Sequence, residues 1–196
     1  MKSQYLNLIK DFVEGTFSVE DFKLKFFSDR ELRSLISSFE PAMTEKDGGT
    51  LNYMLHMNWE NPLKIYKMHV IMTILLMENH IKFKETEKYS KAASFYYNLL
   101  PAWIGEDAED YVIDEIIEKA PKGLTKAELK KWVKERISET FRCEKNKPRW
   151  AQGGEWPRMP DGRFMIFRSQ KRDGELVTYT FVNPDTGEEV KVEEYY

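Results

Sequence analysis

The chain has 196 residues, 41% of them hydrophobic, 14% aromatic and 32% charged, with a formal net charge of −3. That is enough chain, and enough apolar chain, to bury a core, which excludes an intrinsically disordered protein. The single cysteine, Cys143, excludes an internal disulfide and any multi-cysteine zinc site, and the small net charge names no class of partner by itself.

The N-terminal segment turns polar at once, with Asn7, Lys10 and Asp11 interrupting it, so no signal-peptide apolar region is expected there. Residues 3–14 place Tyr5, Leu8, Ile9, Phe12 and Val13 at helical spacing, and Gly15 is positioned to end that helix. Ser18 with Asp21 resembles a capping box for a second helix carrying Val19, Phe22 and Phe26. Ser28 with Glu31 predicts a third helix running to about Phe39, stopped at Glu40-Pro41. Residues 44–50 predict a loop hinged at Gly48-Gly49, and Leu51 to Met57 a short helix.

Asn61-Pro62 is a strong start signal, a capping side chain followed by proline at the first helical position. The helix it opens, to about His80, is apolar on more than one face and is expected at the centre of a bundle. Its longest apolar run, Val70 to Met77, is broken by Thr73, closed by Glu78 and too short to span a bilayer. Tyr89 to Leu100 predicts a further helix ended by Pro101, and Asp107 to Lys119 an acidic one. Thr125 with Glu128 predicts a capping box for the last long helix, whose inward stripe is Leu129, Trp132, Val133, Ile137 and Phe141.

Beyond Cys143 the pattern changes. Pro148-Arg149-Trp150-Ala151-Gln152-Gly153-Gly154-Glu155-Trp156-Pro157 brackets a Gly-Gly pair with tryptophans and prolines, which fits either a packed joining loop or an exposed recognition surface. Phe164 to Gln170, Glu175 to Val182 and Glu188 to Tyr195 then read as three strands, with turns at 171–174 and 183–187, and hence as an antiparallel meander. The fold class expected is α+β: an N-terminal multi-helix bundle over residues 1–143, with a C-terminal three-stranded antiparallel β-meander and the tryptophan loop over 144–196 packed against it.

No sequence pattern for catalysis is present. There is no HExxH, GxSxG, Walker or GxGxxG spacing, and the three histidines have no matching ligand set, so neither metal nor cofactor is expected. His69, inside the apolar helix, reads as a hydrogen-bonded core histidine. Charge is distributed unevenly: residues 1–120 carry a net −6 and residues 121–196 a net +3. Glu106, Asp107, Asp110, Asp114 and Glu118 belong to an acidic cluster, and Asp107, Asp110, Asp114 and Glu118 recur at helical spacing on one side. Clustered outward carboxylates suit a basic protein partner and speed its association. The rival is a nucleic-acid-binding or regulatory module using the basic helix 125–141, with Lys126, Lys130 and Lys134 on one face and Trp150 and Trp156 for stacking. Interleaved glutamates and the acidic balance of the whole chain weigh against it.

Residues 8–22, Leu8-Ile9-Lys10-Asp11-Phe12-Val13-Glu14-Gly15 followed by Phe17-Ser18-Val19-Glu20-Asp21-Phe22, resemble the opening of bacterial immunity proteins of the colicin D immunity type. The segment with Pro148, Trp150, Gln152, Glu155, Trp156, Pro157, Gly162, Phe167 and Gln170 is similar to one in uncharacterised bacterial proteins associated with toxin–immunity loci. The resemblance implies a cytoplasmic protein that neutralises a cognate protein toxin, such as a basic nuclease, by binding without catalysis. The expected partner-binding residues are Glu106, Asp107, Asp110, Asp114, Glu118, Trp150 and Trp156, with neither membrane nor nucleic acid as partner.

Overall fold

Helices fill the first half of the chain because apolar side chains recur there every three to four residues. The computed structural model describes residues 2–196, apart from the side chains of Lys2 and Asp107. The α-helices of the first half are α1 (Lys2–Val13), α2 (Val19–Ser28), α3 (Arg30–Ser37), α4 (Thr50–His56), α5 (Pro62–Glu78) and α6 (Lys88–Tyr97). Then follow α7 (Glu106–Tyr111), which continues as a wide π-helical stretch Val112–Ile117, and α8 (Lys126–Thr140). Strands β1 (Ile166–Asp173), β2 (Leu176–Val182) and β3 (Glu189–Tyr195) form one antiparallel sheet in the order β1-β2-β3. The fold is therefore α+β, with the meander at the C-terminus.

The helix starts follow the sequence signals with one exception. The Ser18 hydroxyl accepts the Asp21 amide, Asn61 Oδ1 accepts the Leu63 amide at 2.8 Å, and Thr125 with Glu128 forms a reciprocal capping box. At α3 the cap is Asp29 rather than Ser28. Asp29 Oδ1 accepts the Glu31 and Leu32 amides at 3.0 and 3.2 Å, while the Ser28 hydroxyl turns back to the Leu24 carbonyl. A carboxylate is the stronger acceptor and carries the sign that the helix N-terminus favours. The expected loop before α4 is instead a 3₁₀ turn, Ala42–Asp47. Gly49 follows it at φ +100°, where an added Cβ would collide with the Glu40 carboxylate that caps the Thr50 amide.

Two compact units divide the chain, Met1–Tyr97 and Asn98–Tyr196. The first is the helical one. Its core gathers Ile9, Phe12 and Val13 of α1 with Phe22 and Phe26 of α2, Leu32 and Ile36 of α3, and Met68, Ile71, Met72, Leu75 and Leu76 of α5. The Phe12 ring stacks on Phe22 at 4.5 Å and on Tyr89 of α6 at 5.2 Å. His69 is fully buried beside these rings, with Nε2 at 3.1 Å from the Val13 carbonyl, so it is the hydrogen-bonded core histidine its position predicts.

The second unit contains α7, α8 and the sheet, so this division falls at 97/98, where the sequence reading drew one at 143/144. The physical reason is Phe141, which closes α8 and lies 4.5 Å from Phe164 and 5.2 Å from Trp156. The last helix thus shares an aromatic core with the segment before β1. The β1 strand also runs three residues beyond its predicted end. Lys171, Arg172 and Asp173 pair with Thr178, Val177 and Leu176, leaving a two-residue turn at Gly174-Glu175. A bulge between Phe167 and Ser169 shifts the register of β1 against β2. Val177, Tyr179 and Phe181 of β2 are buried. Among the described residues no helix is long and apolar enough to cross a membrane.

Candidate partner-binding site

The tryptophan loop is held from below by one carboxylate. On β3, Val190 and Val192 stand opposite Phe181 and Tyr179, and the next residue of that parity is Glu194, opposite Val177. Its side chain therefore points to the buried face, where it is 9% exposed. Three loop amides converge on it: Ala151 and Gln152 donate to Oε2 at 2.8 and 3.0 Å, and Gly154 to Oε1 at 2.7 Å. Hydrogen bonds to an ionised acceptor are the strong ones, and three of them satisfy a carboxylate that burial would otherwise penalise. Beside it the Tyr179 hydroxyl accepts the Ala151 amide and donates to the Arg149 carbonyl. Burial, with Glu194 adding to it, pushes the Tyr179 phenol up to about 12.

Both tryptophans pack inward. Trp150 lies 4.5 Å from the Tyr179 ring and donates its indole N–H to the Trp103 carbonyl at 3.0 Å. Gly154 folds over that indole at φ +75°, so close that a Cβ there would enter the ring. Trp156 is 3% exposed, donates Nε1–H to the Met165 carbonyl, and lies 5.4 Å from Phe181. The loop is thus the packed joining loop of the two sequence readings. Trp150 is half-buried and Trp156 has no ring face left for a partner, so neither serves as an exposed platform.

The acidic segment meets this loop at one point. Glu106 opens α7, and its amide donates to the Gly153 carbonyl at 2.6 Å. The Glu106 carboxylate also lies against Gly153, with its Oε2 only 3.0 Å from where an added Cβ would stand. Glu106, Asp110, Glu115 and Glu118 are exposed, while Glu109 is half-buried between like charges. Burial first, then the Glu106 and Asp110 charges, raises the Glu109 carboxyl above its ordinary range.

The row expected from strict helical spacing is altered midway. The Glu118 amide bonds to the Ile113 carbonyl, five residues back rather than four, so the segment widens into a π-helix. Val112, Ile113, Ile116 and Ile117 are all buried, and Asp114 is drawn half-way in with them. Glu115 is paired with Lys119. Of the expected acidic residues, Glu106, Asp110 and Glu118 are exposed; the side chain of Asp107 lies outside the described residues.

The rival reading keeps its basic helix face, since Lys126, Lys130 and Lys134 are exposed on α8, but not its aromatic partners. Arg158, a cation that follows the tryptophan loop, lies over the Phe164 ring at 4.4 Å. Sequence reasoning passed over Glu194, Tyr179 and Trp103, which hold the loop. A usable signal existed for Glu194, a carboxylate at the apolar parity of its strand.

Among the described residues no group of three or more His, Cys, Asp or Glu side chains is arranged to hold a metal ion. Compared with known proteins, the chain matches no family model, no curated protein and no solved structure.

Proposed function

We propose that this chain is an immunity-type binding protein that neutralises a partner bacterial toxin in the cytoplasm without catalysis. The observation that carries the reading is the exposure of the Glu106, Asp110 and Glu118 carboxylates along one acidic segment, whose first residue is tied to the tryptophan loop through the Glu106 amide and the Gly153 carbonyl. Exposed carboxylates clustered along one segment steer a basic protein surface. A toxin that cleaves nucleic acid has such a surface at its active site, built for phosphates. What supports a toxin as the partner is the N-terminal resemblance to colicin D-type immunity proteins together with the tryptophan-loop segment.

The test is protection in living cells. A toxin gene beside the gene for this chain is expressed with and without it. Survival only with the chain is the expected result. Loss of protection with Glu106→Lys, Asp110→Lys and Glu118→Lys combined, at unchanged protein level, assigns it to these carboxylates. Equal killing with and without the wild-type chain contradicts the proposal.

A further inference from the structure

The connector between α8 and the tryptophan loop leaves β1 and returns to it. At one end Phe167 holds it: its amide donates to the Arg142 carbonyl and its carbonyl accepts the Glu144 amide, both at 2.9 Å. At the other end the Arg149 amide donates to Gln170 Oε1 at 2.8 Å. Lys145, Asn146, Lys147 and Pro148 bow away between these ties. They leave an open groove of about 1040 Å³ walled by the connector, by residues 167–170 and by Trp103.

The groove is cationic with an aromatic wall. Lys145, Lys147 and Arg149 are exposed, whereas Pro148 between the last two is buried. In an extended segment that alternation turns Lys147 and Arg149 the same way. Lys147 Nζ stands 4.2 Å from the centroid of the Trp103 ring. Trp103 is fixed edge-on against Trp156 and Phe141, at 5.9 and 6.5 Å. Arg168 also lines the groove but is engaged by Glu144 and Glu189 at 2.9 and 2.5 Å, so Glu144 does not cancel the other three cations. Asn146 and Gln170 add side-chain amides able to donate and accept.

We propose that this groove binds single-stranded nucleic acid, its phosphates along Lys145, Lys147 and Arg149 and one base on the Trp103 face that the Lys147 ammonium now covers. Pro148 pushes Lys147 toward extended backbone, and alternate residues of an extended chain, here Lys147 and Arg149, repeat every ~6.6 Å, close to the step between phosphates of a stretched single strand. A lone phosphate would use a fraction of the groove. An acidic peptide would use the cations and leave the indole and the amides idle. Cations with an aromatic platform are the combination by which single strands are held without sequence preference. The site is distinct from the acidic segment, and the inference stands without the toxin reading.

The experiment is fluorescence anisotropy of the full chain with labelled oligouridylate and oligothymidylate of about ten nucleotides. With three cations on phosphates, log affinity should fall against log salt with a slope of about −2. Lys147→Gln with Arg149→Gln should bring that slope to about −0.7 and weaken binding at least about tenfold at ~50 mM salt. Both residues are exposed, and an unchanged near-ultraviolet circular dichroism spectrum checks the fold. Trp103→Phe keeps an aromatic face and should bind nearly as the wild type, whereas Trp103→Leu should weaken binding about tenfold. No binding of either oligonucleotide overturns the proposal, as does unchanged affinity in the double variant. Displacement by polyglutamate as effective as by unlabelled oligonucleotide overturns it too, because the groove would then be reading charge alone.

Discussion

The Glu194 carboxylate accepts the Gly154 amide at 2.7 Å across a sequence separation of 40 residues. With the Ala151 and Gln152 amides on its other oxygen, it ties the last strand to the loop that carries both tryptophans. Glu194→Ala should leave the Gln152 and Gly154 amides without their acceptor, while the Ala151 amide keeps the Tyr179 hydroxyl, at a cost of about 1–3 kcal/mol. Thermal unfolding should show a midpoint lower by several degrees, and Trp150 emission should shift to the red as the loop loosens. A midpoint equal to the wild type's would mean that the carboxylate does not hold the loop.

Gly154 carries a second, steric part of the same closure. It has φ +75° and no room for a side chain beneath the Trp150 indole, whereas Gly162 has φ +85° with open space around it. Gly162→Ala meets backbone strain alone, about 1 kcal/mol, and Gly154→Ala should cost ~1–3 kcal/mol more because the indole must move. Chemical denaturation of the two variants measures the difference directly. Equal stabilities would remove the packing argument.

Acid should weaken the first unit through His69. Nε2 faces the Val13 carbonyl, which places the proton there, and Nδ1 lies 3.5 Å from Glu85 Oε1. Burial pushes the imidazole below its ordinary range, against smaller opposing pulls from the Val13 carbonyl and the Glu85 charge. The unfolded chain therefore binds the proton more readily than the folded one. The stabilisation is fully present above about pH 6.5, the ordinary imidazole value, and is lost as the pH falls through the lowered folded value. The unfolding midpoint should drop between about pH 7 and pH 5, less so in His69→Gln, whose amide can still donate to Val13. The same pH slope in both proteins would exclude His69 as the source.

Asp29 is a separate acid-sensitive point in that unit. The Lys25 ammonium first, then the Leu32 amide, hold its carboxyl down at about 2. Its contribution is complete above the ordinary carboxylate range and disappears as the pH falls through about 2. Asp29→Asn keeps a capping oxygen but gives up the pairing with Lys25, so its midpoint should match the wild type's most closely at the lowest pH. A gap that does not narrow on acidification would contradict the ion pair.

The α+β class, the capped helices and the meander were legible because they depend on local rules: Asn61-Pro62, Thr125 with Glu128, and alternation from Leu176 to Val182 each act within a few residues. The division at 97/98 was not, since it turns on Phe141 meeting Phe164 and Trp156, contacts that no short-range pattern encodes. The acidic row was read with a 3.6-residue period, and the π-helical stretch breaks that period at Asp114 to bury four apolar side chains together. Asp29 displaced Ser28 as a cap because two capping residues stood side by side and the carboxylate is the stronger acceptor. The tryptophan loop was recognisable as a junction, but its tie to Glu194 required knowing which strand residue lay beneath it.

The most direct test of the account is capture from a lysate of the source cells. The wild-type chain is compared with Glu106→Lys, Asp110→Lys and Glu118→Lys combined, at low and physiological salt, with bound proteins identified by mass spectrometry. The account predicts one stoichiometric basic protein on the wild type, held less well as salt rises and absent from the variant. Equal recovery of that protein on the variant, or nucleic acid with no protein partner, would contradict it.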